Sequence, residues 1–289
     1  MEREYNVGTW LTPSDEYIKD IKQTLVEKGI VEENTPDSEL SKVIQQTDFT
    51  DYMELRITGQ PYEYSMINIT EIAQLAFAYD RNLEGIDFPN VVKIGASAFT
   101  DTGRLKKINL PKVEETEANV FKDSIKKNNL ELLDLPNLKT LNRITDSTFM
   151  NNYESSNDTI GLLNVSVPKI ERFNYRTFEQ CRALKSAYIG SCNYLGSSIF
   201  SVCKCLVAVI ITQSNSVATL SSTSAFSNCF HFNGTVDSKC NPTGAKDGYV
   251  YVPDSLVDSY KTATNWSTIA TQIKGLSELP QEYKDLYGI

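Results

Sequence analysis

The chain has 289 residues, of which 40% are hydrophobic and 22% are charged, so it holds enough apolar material to build the core of a globular protein. Its 28 basic and 37 acidic side chains give a net charge of −9. This balance argues against nucleic acid and anionic lipid as partners, since both require a basic surface. The sequence also lacks the apolar run of about 18 residues that a membrane-spanning helix needs, so we expect no membrane insertion.

Residues 1–68 are predicted to form an amino-terminal cap. The opening residues 1–6 have neither the basic nor the apolar region of a secretory signal peptide, so we expect that the chain either stays in its cell or leaves by another route. Prolines at Pro13 and Pro36, each followed by acidic residues, indicate the starts of two short helices. A hairpin is predicted over 52–58 and 62–69, turning at Gly59-Gln60-Pro61.

Residues 69–253 contain a repeat that returns in register about seven times. Its clearest marker is a recurring phenylalanine, with gaps of 22, 22, 28, 29, 22 and 26 residues. The phenylalanines are Phe77, Phe99, Phe121, Phe149, Phe178, Phe200 and Phe226. Repeats of this length are too small to bury their own apolar residues, so they must stack to form a common core.

Each repeat also carries a pair of apolar residues two positions apart, closed in several repeats by proline. Ile86 and Phe88 precede Pro89, and Ile108 and Leu110 have the same spacing. Alternation of this kind predicts a short strand with its apolar side turned inward. We therefore predict an α/β solenoid with short parallel strands on one face and helical caps at both ends.

Residues 254–289 are predicted to be a carboxy-terminal helical cap. A helix should begin at Asp254, break at Asn265-Trp266-Ser267 and end near 273–275. Trp266 is interpreted as a lid over the last coil.

The consensus Ile-x-x-x-Ala-Phe-x-x-Cys-x-x-Leu-x-x-Ile-x-Ile-Pro resembles the BspA-type leucine-rich repeat of bacterial surface proteins. The cysteine of this pattern is matched by Cys181, Cys203 and Cys229. Earlier repeats depart from it, with Asp80, Thr102, Ser124 and Asn152 at the same position. The resemblance implies a right-handed superhelix and a role in adhesion or recognition.

A second resemblance concerns the amino-terminal region. The stretch from Ile18 to Ile44 resembles a short helical module of tail-associated proteins in phages of gut bacteria. It suggests a phage tail or particle component as one specific context.

Cysteines and histidine give little indication of chemistry. Cys181, Cys203 and Cys229 are interpreted as a buried structural ladder, with a disulfide between neighbouring rungs left open. Cys203-Lys204-Cys205 is spaced too closely for a usual zinc site, so no metal is expected. His231 is the only histidine, and a structural role is favoured for it.

Two sets of acidic residues could also be read as acid–base groups or calcium ligands. Glu114-Glu115, and Asp237 with Asp247, are interpreted instead as solvated surface. We expect neither a catalytic site nor a cofactor. The loop 233–248 is long enough to be functional.

Outward positions of the predicted strands form two columns. The central column is Asp87, Asn109, Asp134, Ser166, Tyr188, Ile210 and Tyr251. Its neighbour is Gly85, Lys107, Leu132, Asn164, Ser186, Ala208 and Tyr249. Tyrosine and apolar residues in the second half suggest a contact patch of Tyr188, Ile210, Tyr249 and Tyr251, assisted by Lys185. The alternative is that the insertion, the terminal helix or a sister subunit covers them.

These features favour a non-catalytic recognition or adhesion module of a bacterium or its phage. The expected partner is a protein or glycan on a cell surface or matrix, with homo-oligomer formation left open. An extracellular surface or a phage particle is the favoured location. A structural subunit making homotypic contacts is the alternative, and a glycan-active enzyme using paired carboxylates is a more distant one.

Overall fold

In the computed structural model, residues 11–13, 61–141, 149, 153–154, 157–213, 215–234 and 246–289 are described. Nineteen strands lie in these ranges. In chain order they are β1 Leu11–Pro13, β2 Tyr62–Ser65, β3 Ile69–Ile72, β4 Leu83–Asp87, β5 Lys93–Ile94, β6 Lys107–Asn109, β7 Glu115–Thr116, β8 Leu133–Asp134, β9 Thr140–Leu141, β10 Tyr153–Glu154, β11 Asn157–Gly161, β12 Asn164–Ser166, β13 Arg172–Phe173, β14 Ser186–Tyr188, β15 Tyr194–Leu195, β16 Ala208–Ile210, β17 Thr219–Leu220, β18 Tyr249–Val252 and β19 Ile273–Gly275.

Helices in the described ranges are short and lie toward the carboxy terminus. The α-helices are α1 Phe230–Asn233, α2 Val257–Thr262 and α3 Gln281–Tyr287. The 3₁₀-helices are Thr223–Phe226, Asp254–Leu256, Trp266–Gln272 and Leu276–Glu278.

The strands form two walls of a coiled chain rather than the single predicted face. On the first wall, here called the strand face, β2, β4 and β6 form one parallel sheet, and β8, β12, β14, β16, β18 and β19 form another. On the second wall, β3, β5, β7 and β9 are parallel, as are β13, β15 and β17. The remaining pair, β10 and β11, is antiparallel.

A third side, here called the turn wall, carries the recurring phenylalanines. Their rings stack from coil to coil, with centroids 5.2 Å apart for Phe77 and Phe99 and 5.4 Å apart for Phe178 and Phe200. Backbone bonds also join neighbouring coils here, and Phe77 N donates to Ala98 O at 2.8 Å. Several non-glycine residues in the turns of this wall have positive φ, a backbone conformation that L-residues rarely adopt. Backbone hydrogen bonds between neighbouring coils stabilise this conformation.

One continuous core runs between these three walls. All seven recurring phenylalanines are buried, as are inward strand residues such as Ile86, Leu133 and Val209. Each coil covers the apolar side of the next, so stacking provides the burial that a single coil cannot achieve.

The carboxy-terminal end of the core is covered by side chains that form hydrogen bonds with the backbone at Ala218 and Leu220. Trp266 is buried, and its Nε1 donates to Ala218 O at 2.6 Å, while Tyr260 Oη accepts from Ala218 N at 3.0 Å. Asn265 Nδ2 donates to Leu220 O at 2.7 Å. Trp266 therefore lies over the last coil, as the sequence indicated.

After the predicted break, a 3₁₀-helix runs over Trp266–Gln272 and ends close to the predicted position. Residues 273–275 form β19, which pairs in parallel with β18 and extends the strand face by one strand. The sequence analysis did not predict this strand, which forms by pairing with the existing sheet edge at β18.

At the amino-terminal end, β1 pairs antiparallel with β3 on the second wall. The two predicted helices and the first strand of the predicted hairpin lie outside the described residues. β2, the second strand of that hairpin, pairs in parallel with β4 as a regular coil strand. The domain boundaries at 68 and 253 stay a prediction.

Truncation of one phenylalanine of the column should weaken the whole stack. We expect Phe200→Ala to lower the free energy of unfolding by about 3–5 kcal/mol, because a buried ring is lost between two others. Tyr79→Ala, at an exposed turn-wall position, should change it by less than about 0.5 kcal/mol. Chemical denaturation measures both, and equal losses would contradict the role of the column.

Candidate functional site

The strand register confirms the two predicted columns, which are divided between the two sheets of the strand face. Asp87 pairs with Asn109, and in the second sheet Ser166, Tyr188, Ile210 and Tyr251 are aligned. The two sheets are not joined by strand pairing between β6 and β8. The strand face is therefore divided at this point, and its two parts have different surroundings.

The amino-terminal part forms a groove of about 720 Å³. Its lining includes Glu63, Asp87, Lys107, Asn109, Glu131 and Leu132. We call this the open groove. The charged and amide side chains among these residues are exposed, and Leu132 is half-buried. The open groove thus combines an apolar floor with a charged and amide rim.

Side chains of the open groove hold each other in place. Asp87 Oδ1 accepts from Asn109 Nδ2 at 2.7 Å, and its Oδ2 accepts from Ser65 Oγ at 3.3 Å. Lys107 Nζ lies 2.7 Å from Glu63 Oε1, reaching across the intervening strand at Gly85. A Cβ at Gly85 would lie 2.9 Å from Glu63 Cγ, so glycine makes room for this ion pair. These contacts link the rim side chains of three neighbouring coils.

The carboxy-terminal part of the strand face is covered by α3. Ile210 and Tyr251 are buried, and Tyr188 and Tyr249 are half-buried. They pack with Ala208, Leu276, Leu279, Tyr283 and Tyr287 in a cluster apart from the main core. The expectation that the patch is exposed was wrong for Ile210 and Tyr251, because the chain's own terminal helix occupies it. A ligand role for the patch stays a prediction.

The remaining members of the proposed patch lie at its margin. Tyr249 has Lys274 Nζ 4.0 Å from its ring centroid, and its own ring lies 6.2 Å from that of Tyr251. Lys185 is exposed and precedes β14. These two residues are therefore more accessible than Ile210 and Tyr251.

Hydrogen bonds connect α3 to the open groove along the second column. Tyr287 Oη and Ser186 Oγ are 2.6 Å apart, and Ser186 Oγ donates to Asn164 Oδ1 at 2.6 Å. Asn164 Nδ2 in turn donates to Glu131 O at 2.8 Å. Since the single Ser186 proton goes to Asn164, Tyr287 is the donor to Ser186. The chain of bonds runs from the helix to a residue that lines the open groove.

The three cysteines of the repeat column are buried thiols outside any disulfide. Cys181 Sγ, Cys203 Sγ and Cys229 Sγ each donate to the carbonyl of the preceding column phenylalanine, at 2.8, 3.0 and 2.9 Å. Ser124 Oγ makes the same bond to Phe99 O at 2.5 Å. At these positions a thiol and a hydroxyl therefore make the same bond between coils. Cys205, outside the column, is disulfide-bonded.

Burial also makes these thiols unreactive. It raises the pKa of Cys229 to about 12 and that of Cys203 well above its usual value. A thiol with so high a pKa carries almost no thiolate near neutral pH, which is the reactive form. Their place in the structure is that of small buried donors.

His231 is mostly buried in α1, with Nδ1 2.6 Å from Asp247 Oδ1. Its backbone carbonyl accepts from Gln272 Nε2 at 3.3 Å. These contacts link α1 to Asp247 and to the 3₁₀-helix Trp266–Gln272. In the described ranges, no three His, Cys, Asp or Glu side chains are grouped so as to hold a metal ion.

Two features escaped the sequence reasoning. Glu63 and Ser65 of the open groove were assigned to a hairpin because their repeat lacks the phenylalanine marker. The cover of the patch was only an open alternative, although Leu279, Tyr283 and Tyr287 follow one another at intervals of four, which is the signal of an apolar helix side.

No described helix is long and apolar enough to span a membrane.

Coils of about 22 residues, with parallel strands and a phenylalanine column, define a leucine-rich-repeat solenoid. The sequence matches the family described as BspA type leucine rich repeat region in six copies, over residues 70–203 and 128–233. This is more than half of the chain, so the chain belongs to the BspA-type leucine-rich-repeat family.

Solved structures give one further likeness. A leucine rich cell surface protein from Faecalibacterium prausnitzii A2-165 is 15% identical, with a TM-score of 0.33, and the match covers 72% of this chain. It covers 62% of the length of that protein. No curated protein matches the sequence.

Thiol labelling should separate the column cysteines from an accessible site. In the native protein, Cys181, Cys203 and Cys229 should react at least about 100-fold more slowly than after unfolding, because burial withholds both access and the thiolate. Mass spectrometry of labelled peptides measures this. In the unfolded, unreduced chain, fewer than six cysteines should react, since Cys205 is disulfide-bonded. Rapid native labelling of Cys203 would contradict the buried column.

Removal of the helix contact should lower the pKa of the tyrosine beneath it. Burial is the largest effect that raises the pKa of Tyr251 to about 12. In Leu279→Ala/Tyr287→Ala, this pKa should fall toward its ordinary value of about 10, because the phenolate becomes hydrated. NMR titration of ring-labelled tyrosine measures the shift. In the wild type, the unfolded chain releases the Tyr251 proton at a lower pH than the folded chain does. The free energy of unfolding should therefore be highest below about pH 10 and should fall as the pH rises toward 12. An unchanged pKa in the variant would show that α3 does not cause the shift.

Proposed function

We propose that this chain is a non-catalytic module that binds a macromolecule through the strand face, with the open groove as its contact site. The observation that carries the proposal is the groove itself, a concavity with an apolar floor and a rim of fixed polar groups. Concave surfaces of this make-up are the usual binding sites of proteins. Membership of a family built from BspA-type repeats supports recognition as the role.

The rim is suited to binding rather than to acid–base chemistry. Asp87 accepts two hydrogen bonds and Glu63 is paired with Lys107, so both carboxylates have fixed partners. A glycan-active enzyme would need one carboxyl group that can give up a proton to its substrate. Side chains held in place before binding lose little conformational freedom on contact, which favours affinity.

The proposed partner is a protein or glycan displayed on a cell surface or matrix, and the proposed setting is outside the cytoplasm. The disulfide at Cys205 supports this setting, because disulfides persist in oxidising compartments. A phage particle would fit the same chemistry.

The test is binding of the labelled full-length chain to intact gut bacteria and to immobilised matrix proteins. Asp87→Ala/Lys107→Ala should weaken saturable binding at least about tenfold, since the rim is lost at the centre of the contact. The matched control is Glu71→Ala/Lys93→Ala, which removes one acid and one base from the second wall. The control should bind like the wild type.

Two outcomes would contradict the proposal. Equal weakening by both double variants would place the contact away from the open groove. The absence of binding to every surface, together with a multimeric mass by light scattering, would favour the structural-subunit alternative.

A further inference from the structure

Strand pairing on the strand face is interrupted at one place among the described coils, between β6 and β8. At six of the other junctions, the residue that follows one strand donates its backbone N–H to an outward residue of the next strand, at 2.9–3.0 Å. Phe88 N, for example, donates to Asn109 O at 3.0 Å. The corresponding atoms at the interruption are Leu110 N and Asp134 O, and no bond joins them. β6 is thus paired on one side only, with β4.

The interruption also uncovers part of the core. Ile108, the inward residue of β6, is partly exposed, whereas Ile86 on β4 and Leu133 on β8 are buried. Ile108 and the segment 130–132 both line the open groove. The unpaired edge of β6 therefore opens into this groove, beside an apolar surface that a ligand side chain can cover.

The open edge of β6 presents its backbone groups in a fixed direction. Main-chain groups of successive residues in a strand point to opposite sides, and those of Asn109 point to β4, since its carbonyl accepts from Phe88 N. The N–H and carbonyl of Ile108, and the N–H of Leu110, therefore point toward the interruption. Groups of this kind form a ladder with an extended chain that lies beside them.

An excess of negative charge lies on the β8 side of the interruption. Glu131 and Asp134 are exposed, and within the described ranges no basic side chain forms an ion pair with either of them. Lys107, on the β6 side, is already paired with Glu63 at 2.7 Å. A ligand that lies along the open edge of β6 therefore gains most from a basic side chain near Asp134.

We propose that the open edge of β6 binds an extended peptide segment of a partner protein, added as a strand parallel to β6. The segment carries an apolar residue beside Ile108, followed directly by a lysine or arginine beside Asn109 and near Asp134. The inference rests on the proposed recognition function and specifies the partner as a protein. Strand addition of this kind uses main-chain bonds for affinity and alternate side chains for specificity.

Register fixes which bonds the peptide makes. Its basic residue takes the place beside β6 that Asn109 has beside β4, so its N–H donates to Ile108 O and its carbonyl accepts from Leu110 N. The parallel orientation follows the pairs of this face, all of which are parallel. The apolar side chain covers Ile108, which the interruption leaves partly exposed.

The experiment selects binders of the full-length chain from a yeast-displayed library of random short peptides. Enriched peptides should share an apolar residue followed directly by lysine or arginine. They should bind Glu131→Ala/Asp134→Ala at least about threefold more weakly than the wild type, because the basic residue loses its partners. The matched control is Glu71→Ala/Glu115→Ala, which removes two exposed carboxylates from the second wall. The control should bind like the wild type.

A synthetic peptide from this selection tests the backbone bonds directly. Methylation of the amide nitrogen of its basic residue removes the donor to Ile108 O, so binding measured by fluorescence anisotropy should weaken at least about tenfold. The same methylation at the first residue of the peptide, outside the motif, should leave binding unchanged.

Three results would overturn the inference. The first is the absence of any enriched peptide with a chain that keeps the circular dichroism spectrum of a folded protein. The second is equal binding of the peptide methylated at its basic residue, which would exclude strand pairing. The third is equal weakening by the two double carboxylate variants, which would place the peptide elsewhere. Failure of the proposed function shows instead in the assay with Asp87→Ala/Lys107→Ala. Saturable binding to cells without an enriched peptide would keep that function and favour a glycan as the partner.

Discussion

Stacking of one coil on the next is the interaction on which the rest of this structure depends. No coil encloses a core alone, so the phenylalanine column, the strand pairing and the backbone bonds of the turn wall all act between neighbours. The cysteine thiols of the column and the Ser124 hydroxyl serve the same purpose, since each donates to a carbonyl of the preceding coil. Because every stabilising contact needs a neighbour, the end of the stack has to be covered, and Trp266 and Tyr260 do so by binding the backbone of the last coil.

Stacking also fixes what the outer surface can be. Register places every outward residue in a column, while the inward residues alone maintain the fold. The outward positions are therefore free to vary along the solenoid, and here they change from charged and amide side chains to tyrosine and isoleucine. The pairing is broken between β6 and β8, and the first outward tyrosine, Tyr188, lies on β14, two strands beyond that break.

The sequence was sufficient for features that repeat and insufficient for those that do not. The seven phenylalanines, the cysteine column and both outward columns could be predicted, because a period relates each residue to its neighbours. The fold-back of α3 could not, since its contacts with Tyr188 and Tyr251 join positions that no repeat relates. Only part of the open groove could be predicted. Asp87 and Asn109 stood in a predicted column, whereas Glu63 belongs to a coil that lacks the marker phenylalanine.

The position of α3 follows from the same change in the outward columns. A charged and amide surface is stable in water, so the open groove can stand uncovered. A row of Tyr188, Ile210 and Tyr251 on a long flat face would expose a contiguous apolar patch, which in soluble proteins leads to association. Covering it with a segment of the same chain removes that hazard.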